Sequence, residues 1–512
     1  MRSMTWMELF ASGWGKIGFR WIESRNTISD RETPIQRDRV GGPALEIHSM
    51  HFKARASAAA ADRALQAKLS TAKGLFVDGR RRAVAEIDLE ATREAAKAIR
   101  DTCVADLDLW LERFEQEATQ RGAQVLWARD GADIRRLVVD IARRHGVKKA
   151  IKSKSMLSEE AGLNAALEAA GVQPVETDLG EYILQINGNE RPSHIIAPAI
   201  HKTKEEVAEL FERVHHKPRK TDIGEMTREA REMLRAHFLS ADMGISGGNF
   251  LVAETGSVAL VTNEGNGRMV TTLPRVHVVI TGVEKVIPTL EDLATLMRIL
   301  PRSATGQSIS NYFSVLTGVK RPEDTDGPEH LYFVLVDNGR IDLLGSDFQD
   351  MLRCIRCAAC LNHCPVYQAI GGHAYGWVYP GPMGAVLTPL FVGIENAIDL
   401  PQAATLCNQC GAVCPVKIPL PDLMRKLREE GLARGLRPLG ERAALKLWGW
   451  LAQRPRLYAL AAKLGVRYLN RLAGGGDRIR AMAIAPAWTA GRDLPAPEGR
   501  TFREQYARRR PT

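Results

Sequence analysis

Outside one short stretch the chain has almost no cysteine. Of 8 cysteines in 512 residues, seven fall between Cys354 and Cys414, and Cys103 stands apart. A disulfide framework would spread its cysteines through a small secreted domain, so this distribution argues against one and points to metal in a reducing compartment. The N-terminus, MRSMTWMELFASGWGKIGFRW, lacks a clean apolar segment ahead of a small-residue cleavage site, so no secretory signal is read there. No solenoid repeat, nucleotide P-loop, zinc-hydrolase motif or Ser-His-Asp order stands out. The chain also lacks an uninterrupted membrane span. Val366 to Ile394 runs 29 residues without Asp, Glu, Lys or Arg, but it contains Pro380, Pro382 and Pro389 and six glycines. Prolines at that density would break a lipid-exposed helix, so the run reads as a packed, irregular insert.

What is present is ordinary for a globular protein: 45% hydrophobic and 25% charged residues. At roughly 100–200 residues per domain, two to four units are expected. The formal charge of +10 is not spread evenly. Residues 420–512 hold 20 Lys and Arg against 8 Asp and Glu, a net of +12, which leaves −2 on the rest. The basicity is therefore a property of the C-terminal segment, and it does not mark the whole protein as a nucleic-acid binder.

Five regions follow. Residues 1–49 lack sustained periodicity and read as an extension, with Met50 as an alternative translation start. Residues 50–121 carry apolar residues at helical spacing, as in Leu107, Leu111 and Phe114, and predict three helices with a break at Gly79. Residues 122–340 alternate strand and helix signals. Gln124–Ala128, Lys149–Lys152 and Gln173–Thr177 read as strands, with Ser158-Glu159-Glu160 opening the helix between the last two and Gly171 ending it. This βαβ unit requires some parallel pairing. Thr203 to Glu206 reads as a capping box, and Thr289 to Asp292 opens a further helix. Asn249–Thr262 reads as two strands about the turn Glu254-Thr255-Gly256, with further strands at His277–Ile280 and Leu331–Val336. Residues 345–425 hold the clustered cysteines. Residues 426–512 alternate short basic helices with Gly and Pro breaks.

The first cysteine motif is Cys354-Ile-Arg-Cys357-Ala-Ala-Cys360-Leu-Asn-His-Cys364-Pro365, the C-x2-C-x2-C-x3-C-P run of bacterial ferredoxins. Three thiolates on a tight loop cap three irons of one cubane, and the fourth, turned away by proline, reaches a second. Ala358 and Ala359 let the backbone close in. The second motif, Cys407-Asn-Gln-Cys410-Gly-Ala-Val-Cys414-Pro415, has one cysteine fewer, with Ala404 where the first would stand. Crossed ligation gives cluster 1 Cys354, Cys357, Cys360 and Cys414, and cluster 2 only Cys364, Cys407 and Cys410. Cluster 1 is then [4Fe–4S]; cluster 2 is either [3Fe–4S] or [4Fe–4S] with one non-cysteine ligand, and His363 and His373 lie nearby in sequence. Zinc fits poorly, because its sites use two C-x2-C knuckles with four ligands in all. Cys103 reads as a buried small hydrophobe.

Cys354–Pro419, including GGHAYGWVYPGPMGAVLTPL and LCNQCGAVCPVKIPL, resembles the lactate utilization protein B family. SKSMLSEE (153–160), ETDLGEYILQINGNERPSHIIAPAIH (176–201), DMGISGGNFLVAETGSVALVTNEGN (242–266) and LPRVHVVITGVEK (273–285) resemble the LUD domain of that family. The similarity spans roughly 50–490. It implies an α/β fold with a mixed sheet, like that of the sugar-phosphate isomerase and CoA-transferase group, followed by an α-helical two-cluster module and a basic helical tail. It also implies an iron–sulfur electron-transfer subunit of a three-protein complex that oxidises L-lactate to pyruvate and supports growth on lactate. The chain would then be one subunit of an oxidoreductase rather than a complete enzyme. The family's second cluster is [4Fe–4S] on three cysteines, which here implies Cys364, Cys407 and Cys410. The alternative is that the LUD domain is itself a small-acid or CoA-ester site served by the clusters.

Polar residues in apolar surroundings are the candidates for a substrate site: Lys152, Lys154, Glu181, His194, His201, Glu254, Asn263, Arg268 and His277. The turn Gly244-Ile245-Ser246-Gly247-Gly248-Asn249 could present backbone N–H groups to a carboxylate. It does not open a helix after a strand, so a dinucleotide site is weakly supported. No catalytic residue is assigned. The basic tail, with Trp448, Trp450, Tyr458 and Trp488 interleaved and Leu445, Trp448 and Leu451 on one helical face, reads as a docking surface for a partner subunit. A peripheral membrane contact, with a quinone-linked acceptor, is the alternative, and nucleic acid is not expected. The expected location is cytoplasmic, free or at the inner membrane face.

Overall fold

The computed structural model describes residues 47–483, 486–489 and 492–509, the side chains of 71–73 excepted. Most of the extension assigned to 1–49 lies outside the described residues. Ser49, however, is fully buried, and its hydroxyl donates to Tyr375 O at 2.9 Å. The described residues form two compact units that divide between Glu430 and Gly431.

The first unit opens with four helices, α1 (Phe52–Ala61), α2 (Arg63–Val84), α3 (Leu89–Ala105) and α4 (Leu107–Gln120). The expected break at Gly79 does not occur. A glycine inside a helix costs only about 1 kcal/mol relative to alanine, and burial of Leu69 and Phe76 on α2 outweighs it. The chain breaks instead at Asp62 and Asp88, whose carboxylates cap the next helix by accepting from Leu65 N and Ala91 N.

Next come β1 (Gln124–Ala128), α5 (Gly131–Arg144), β2 (Lys149–Lys152), α6 (Met156–Glu160), α7 (Leu163–Ala169) and β3 (Gln173–Glu176). The helix after β2 is capped by Ser155, not Ser158: the Ser155 hydroxyl accepts from Ser158 N. The sequence signal was shifted by one turn because both serines precede acids. The region continues with α8 (Leu179–Ile186), α9 (Lys204–His215), α10 (Ile223–Leu239), β4 (Met243–Ser246), β5 (Phe250–Val252), β6 (Ser257–Thr262), α11 (Asn266–Thr272), β7 (Val276–Gly282), β8 (Val286–Ile287), α12 (Leu290–Ala304), β9 (Tyr312–Thr317) and β10 (His330–Val336). Capping boxes form as expected at Thr203 with Glu206 and at Thr289 with Asp292.

The expected mixed sheet separates into two. Six strands in the order β1-β10-β7-β4-β2-β3 are all parallel. Within the α/β region antiparallel pairing is confined to a second sheet, β8-β5-β6-β9, in which β8 runs parallel to β5. A parallel sheet is normally buried on both faces, and strand alternation assigns the faces here. Val276, Val278, Ile280, Tyr332 and Val334 pack against α5 and α7, whereas Val279, Leu331, Phe333 and Leu335 pack against α4. Phe114 meets Phe333 edge to face at 5.0 Å. Gly244 on β4 is required by close approach, since a Cβ there would lie 1.9 Å from Val270 O on α11.

The cysteine region packs into the same unit. It contains α13 (Ala359–Asn362), α14 (Pro365–Ile370), α15 (Gly381–Val392), α16 (Gln409–Val413) and α17 (Leu420–Ala433). The long uncharged run is a packed insert, as its composition indicates: α15 is buried on almost every side and spans only 12 residues. Among the described residues no helix is long and apolar enough to cross a membrane. A Cβ on Gly372 would lie 1.8 Å from Ser193 O, so the insert presses directly on the α/β region.

One buried ion-pair network ties these parts together. Arg340, after β10, meets Glu160 of α6 twice, at 3.1 and 3.0 Å, and Glu284, after β7, at 3.1 Å. Tyr379 from the insert donates to Glu160 at 2.5 Å, as does Asn338. Burial alone would lower the Arg340 pKa, but Glu160 and Glu284 carry it well above the ordinary arginine value.

The second unit holds α18 (Leu439–Ala452) and α19 (Pro455–Ala473), neither with a buried residue. Leu445 and Trp448 are exposed on α18, and Leu457, Leu460, Leu464, Tyr468 and Leu472 form an exposed stripe along α19.

Arg340→Met leaves buried Glu160 without its cation and Glu284 with Arg356 alone at 3.6 Å. We expect it to lower unfolding free energy by about 3–5 kcal/mol, measured by chemical denaturation; a loss within about 0.5 kcal/mol, as for an ordinary surface change, would contradict the clamp.

Candidate functional site

The two cysteine motifs fold alike. In the first, Arg356 and Ala358 flank Cys357 in the left-handed region, at φ 60° and 62°; in the second, Leu406 and Asn408 flank Cys407 at 55° and 64°. Non-glycine residues rarely adopt this conformation, which costs roughly 1–2 kcal/mol each. Its recurrence at matched positions curls the backbone N–H groups inward, as an anionic sulfide cluster requires. The sulfurs accept such groups: Ile418 N lies 3.3 Å from Cys414 Sγ, Ala359 N serves Cys357, and Gln409 N serves Cys407.

The structure brings Cys354, Cys357, Cys360 and Cys414 around one small cavity. Cys364 and Cys410 each feel the charge of Cys407, which gathers the other three. Burial, then neighbouring thiolates, pushes the Cys357 and Cys410 thiols up to about 12 and Cys360 well above its usual value. Cys414 is pushed up to about 11, chiefly by burial. Such thiols ionise readily only when metal takes the proton's place. Cys407 differs: it is exposed, and the N–H of Gln409 and the Thr405 hydroxyl lower its pKa. The donor set therefore fits two clusters, one enclosed and one at the surface. Ala404 offers no side-chain donor, and its carbonyl accepts from Arg428 at 2.6 Å. His373 is bonded through Nε2 to Arg191 O and lies against His201; His363 is bonded through Nδ1 to Ala359 O. Cys103 is fully buried, and burial raises its thiol, as expected of an inert residue.

Sequence reasoning missed the cations beside the enclosed set. Arg80 donates to Val413 O at 3.0 Å and lies in the field of Cys357 and Cys414. Arg93 donates to Cys414 O at 2.9 Å, and Lys285 to Cys354 O at 3.1 Å. Arg356 lies on the cluster loop itself, over the Tyr379 ring at 4.7 Å and 3.6 Å from Glu284. Arg80 and Arg93 sit on helices of otherwise ordinary composition, about 300 residues upstream in sequence, so no local pattern marks them.

A cavity of about 640 Å3 opens at the carboxyl ends of β2, β3, β4 and β7, where open parallel sheets generally bind ligands. Lys154, Gly247, Gly248, Asn249 and Asn263 line it, as the sequence suggested. Lys154 Nζ donates to Ile196 O at 2.7 Å and faces Asp178 at 3.4 Å. At the far end the wall is Ile355 and Arg356, and these two residues also line the cavity enclosed by the first four cysteines. One loop thus separates the two spaces.

The remaining candidates lie elsewhere. Lys152 is buried 2.5 Å from Glu176 and beside Glu159; burial opposes its charge, and the two carboxylates raise its pKa. Glu181 completes that acidic group, and burial, followed by Glu159 and Glu176, raises its pKa well above the ordinary carboxylate value. His194 accepts from Ile196 N and Ala197 N and bonds Asn362. His201 joins Glu190 and Ser193, with Lys202 on the same Glu190 at 2.6 Å. His277 is bonded to Ser246 at 2.8 Å. Glu254 is exposed and accepts from Leu290 N, and Arg268 lies over Tyr312. For buried Lys152, His194, His201 and His277 these are the structural contacts that a polar residue needs, whereas Glu181 Oε1 is buried without a hydrogen-bond partner.

Residues 111–336 match the family described as LUD domain, 350–418 the 4Fe-4S dicluster domain, and 424–510 the family described as Lactate utilisation protein B, C-terminal. The chain is 42% identical to Lactate utilization protein B of Bacillus pumilus, over 91% of this chain and 98% of the relative. It is 41% identical to the protein of the same name from Bacillus licheniformis, over 91% and 98%. It is 44% identical to that of Geobacillus kaustophilus, over 82% and 88%.

Burial holds His277 at about 3, far below the ordinary histidine value. Between that value and about 6.5 the unfolded chain binds the proton and the folded chain does not, so stability is complete above the window and falls with falling pH. In His277→Gln the acid limb of stability against pH should flatten by about 1.4 kcal/mol per pH unit. Denaturation midpoints from pH 7 downward measure this, and parallel limbs would contradict it.

Proposed function

The chain belongs to the lactate utilization protein B family, and on that footing we propose that it is the iron–sulfur electron-transfer subunit of a complex that oxidises L-lactate to pyruvate. A role in lactate utilization and an iron–sulfur domain come with the family. The electron-transfer role, the oxidation complex and the subunit standing are the proposal. Cluster 1 is assigned to Cys354, Cys357, Cys360 and Cys414 as [4Fe–4S]. Cluster 2 is assigned to Cys364, Cys407 and Cys410, as [4Fe–4S] with a non-cysteine ligand or as [3Fe–4S]. When bound, such clusters supply one-electron transfer at potentials set by hydrogen bonds, charge and exposure. This chain's own residues hold and bias them: inward N–H groups from each motif, and Arg80, Arg93, Lys285 and Arg356 near the enclosed set.

The observation that carries the reading is the shared wall. Ile355 and Arg356 face both the α/β cavity and the enclosed cysteines, and Cys407 of the other set reaches the surface. Chemistry at the cavity and an acceptor at the surface are thereby joined through two sites of one compact unit. The same wall favours the second reading, that the α/β region is itself a small-acid or CoA-ester site served by the clusters. Six parallel strands with a cavity at their carboxyl ends support kinship with the sugar-phosphate isomerase and CoA-transferase group. The division into helical, α/β, cysteine and basic regions at 121, 340 and 425 stands as part of this proposal.

The C-terminal unit carries the +12 excess and exposed Trp448, Trp450 and Trp488. It is proposed as the docking surface for a partner subunit, with an anionic membrane face near a quinone-linked acceptor as the competing occupant.

Cys414→Ser should abolish the signal of cluster 1 and spare cluster 2; Cys364→Ser should do the reverse. Anaerobic EPR with iron and sulfide counts reads both, and equal loss of both clusters in each variant would reject crossed ligation. A purified chain that oxidises lactate alone with an artificial acceptor would favour the second reading, and undiminished growth on lactate after gene deletion would sink the first.

A further inference from the structure

The α/β cavity is too large for its expected traffic. A three-carbon acid fills a small part of 640 Å3, a volume within the range of sites for cofactors and drug-sized ligands, roughly 300–1,000 Å3. Its composition fits such sites as well. Ile195, Leu260, Ile280 and Ile355 supply apolar walls, and Lys154 and Asn249 supply polar edges. There is also a mismatch of electron number. Oxidation of a 2-hydroxy acid to a 2-oxo acid removes two electrons and two protons, whereas iron–sulfur centres exchange electrons singly. A planar quinoid ring resolves this: it takes up two electrons and two protons, then returns the electrons one at a time and the protons to solvent.

We propose that the cavity at the carboxyl ends of the parallel strands binds a planar quinoid redox ring, seated against the Ile355–Arg356 loop that backs the enclosed cysteines. The inference rests on the reading of this chain as an electron-transfer subunit. Two sources share the ring chemistry, a flavin and a membrane-derived quinone. A flavin places the cavity on the entry side of the electron route, where it takes the pair and passes electrons on singly. A quinone places it on the exit side, where it collects two single electrons from the clusters and two protons from solvent to leave as the quinol. Sequence reasoning did not reach this, because the walls come from many segments, separated by about 300 residues between Phe76 and Tyr379, and no nucleotide fingerprint accompanies them.

The test uses the full chain with its clusters in place. Flavin mononucleotide and menadione are titrated separately, following tryptophan fluorescence and the EPR spectrum of each cluster. One ring is expected to bind with Kd well below about 1 mM and to shift the cluster 1 spectrum while leaving cluster 2 unchanged. Ile196→Trp and Ala304→Trp fill the cavity from different walls and lie outside the cysteine motifs. Each should weaken binding by at least about tenfold, that is by about 1.4 kcal/mol, with unchanged iron content; having two keeps the test alive if one variant fails to fold. Binding of flavin mononucleotide alone identifies the flavin, and binding of menadione alone the quinone. Absence of binding by either ring up to about 1 mM, or binding that leaves cluster 1 unperturbed, overturns the inference. Neither result would disturb the electron-transfer reading, which stands or falls on the cysteine variants.

Discussion

Everything in the first unit depends on how Arg340 is neutralised. A guanidinium with 1% of its side chain exposed is tolerable only if its charge and donors are met. Glu160 accepts from both terminal nitrogens, Glu284 supplies a second negative charge 3.1 Å from Nε without a hydrogen bond to it, and Tyr379 and Asn338 complete the Glu160 shell. Through Glu284 the network reaches Arg356 on the cluster loop. The end of β10, the short helix after β2, the end of β7, the insert and the first cysteine motif are thus fixed by one set of charges. An apolar substitute of the same shape could supply as much stability. What it would lose is the specific pairing that ties the cysteine loop, through Arg356 and Glu284, to the ends of the strands. We regard specificity rather than net stabilisation as the function of the network.

The same loop explains why two similar motifs differ in setting. Both curl through two left-handed residues about a cysteine. The first packs beside helices α2 and α3, so Cys357 is buried, its other cysteines are half-buried, and cations lie beside them. The second ends its curl at exposed Cys407 and lacks a cysteine at Ala404. Exposure, charge and hydrogen bonding are the variables that set cluster potentials. Loaded with clusters as proposed, one enclosed site with four thiolates and one open site with three would make two centres of unequal potential on a single scaffold.

Much of this was legible in the sequence, and the illegible part has a common cause. Strand bounds at Gln124–Ala128 and Lys149–Lys152 followed from short apolar runs, and the capping boxes at Thr203 and Thr289 from local side-chain chemistry. The helix through Gly79 did not, because burial of Leu69 and Phe76 is a tertiary effect. Neither did the Arg340–Glu160 pair, whose members are 180 residues apart. Pairing over such distances leaves no periodic trace. The grouping of the cysteines was legible, because their chemistry is encoded in short spacings; the cations Arg80 and Arg93 around them were not.

The histidines carry the opposite lesson. His194, His201 and His277 attracted attention as polar residues in apolar strands and loops, yet each is fully engaged in holding backbone or neighbouring side chains. The polar lining of the cavity comes instead from Lys154, Asn249 and Asn263 just past the ends of strands, beside Gly247 and Gly248. A polar residue within a strand has to be satisfied before the sheet can form, so it is consumed by folding. A polar residue one step beyond the strand meets that demand at the cavity rim, as Lys154 does by donating to Ile196 O and Asn249 by accepting from Val261 N. For a parallel sheet, then, candidates for chemistry are better sought just past the carboxyl end of each strand than inside it. That rule would have kept Lys154 and Asn249 from the sequence and set aside Lys152 and His277.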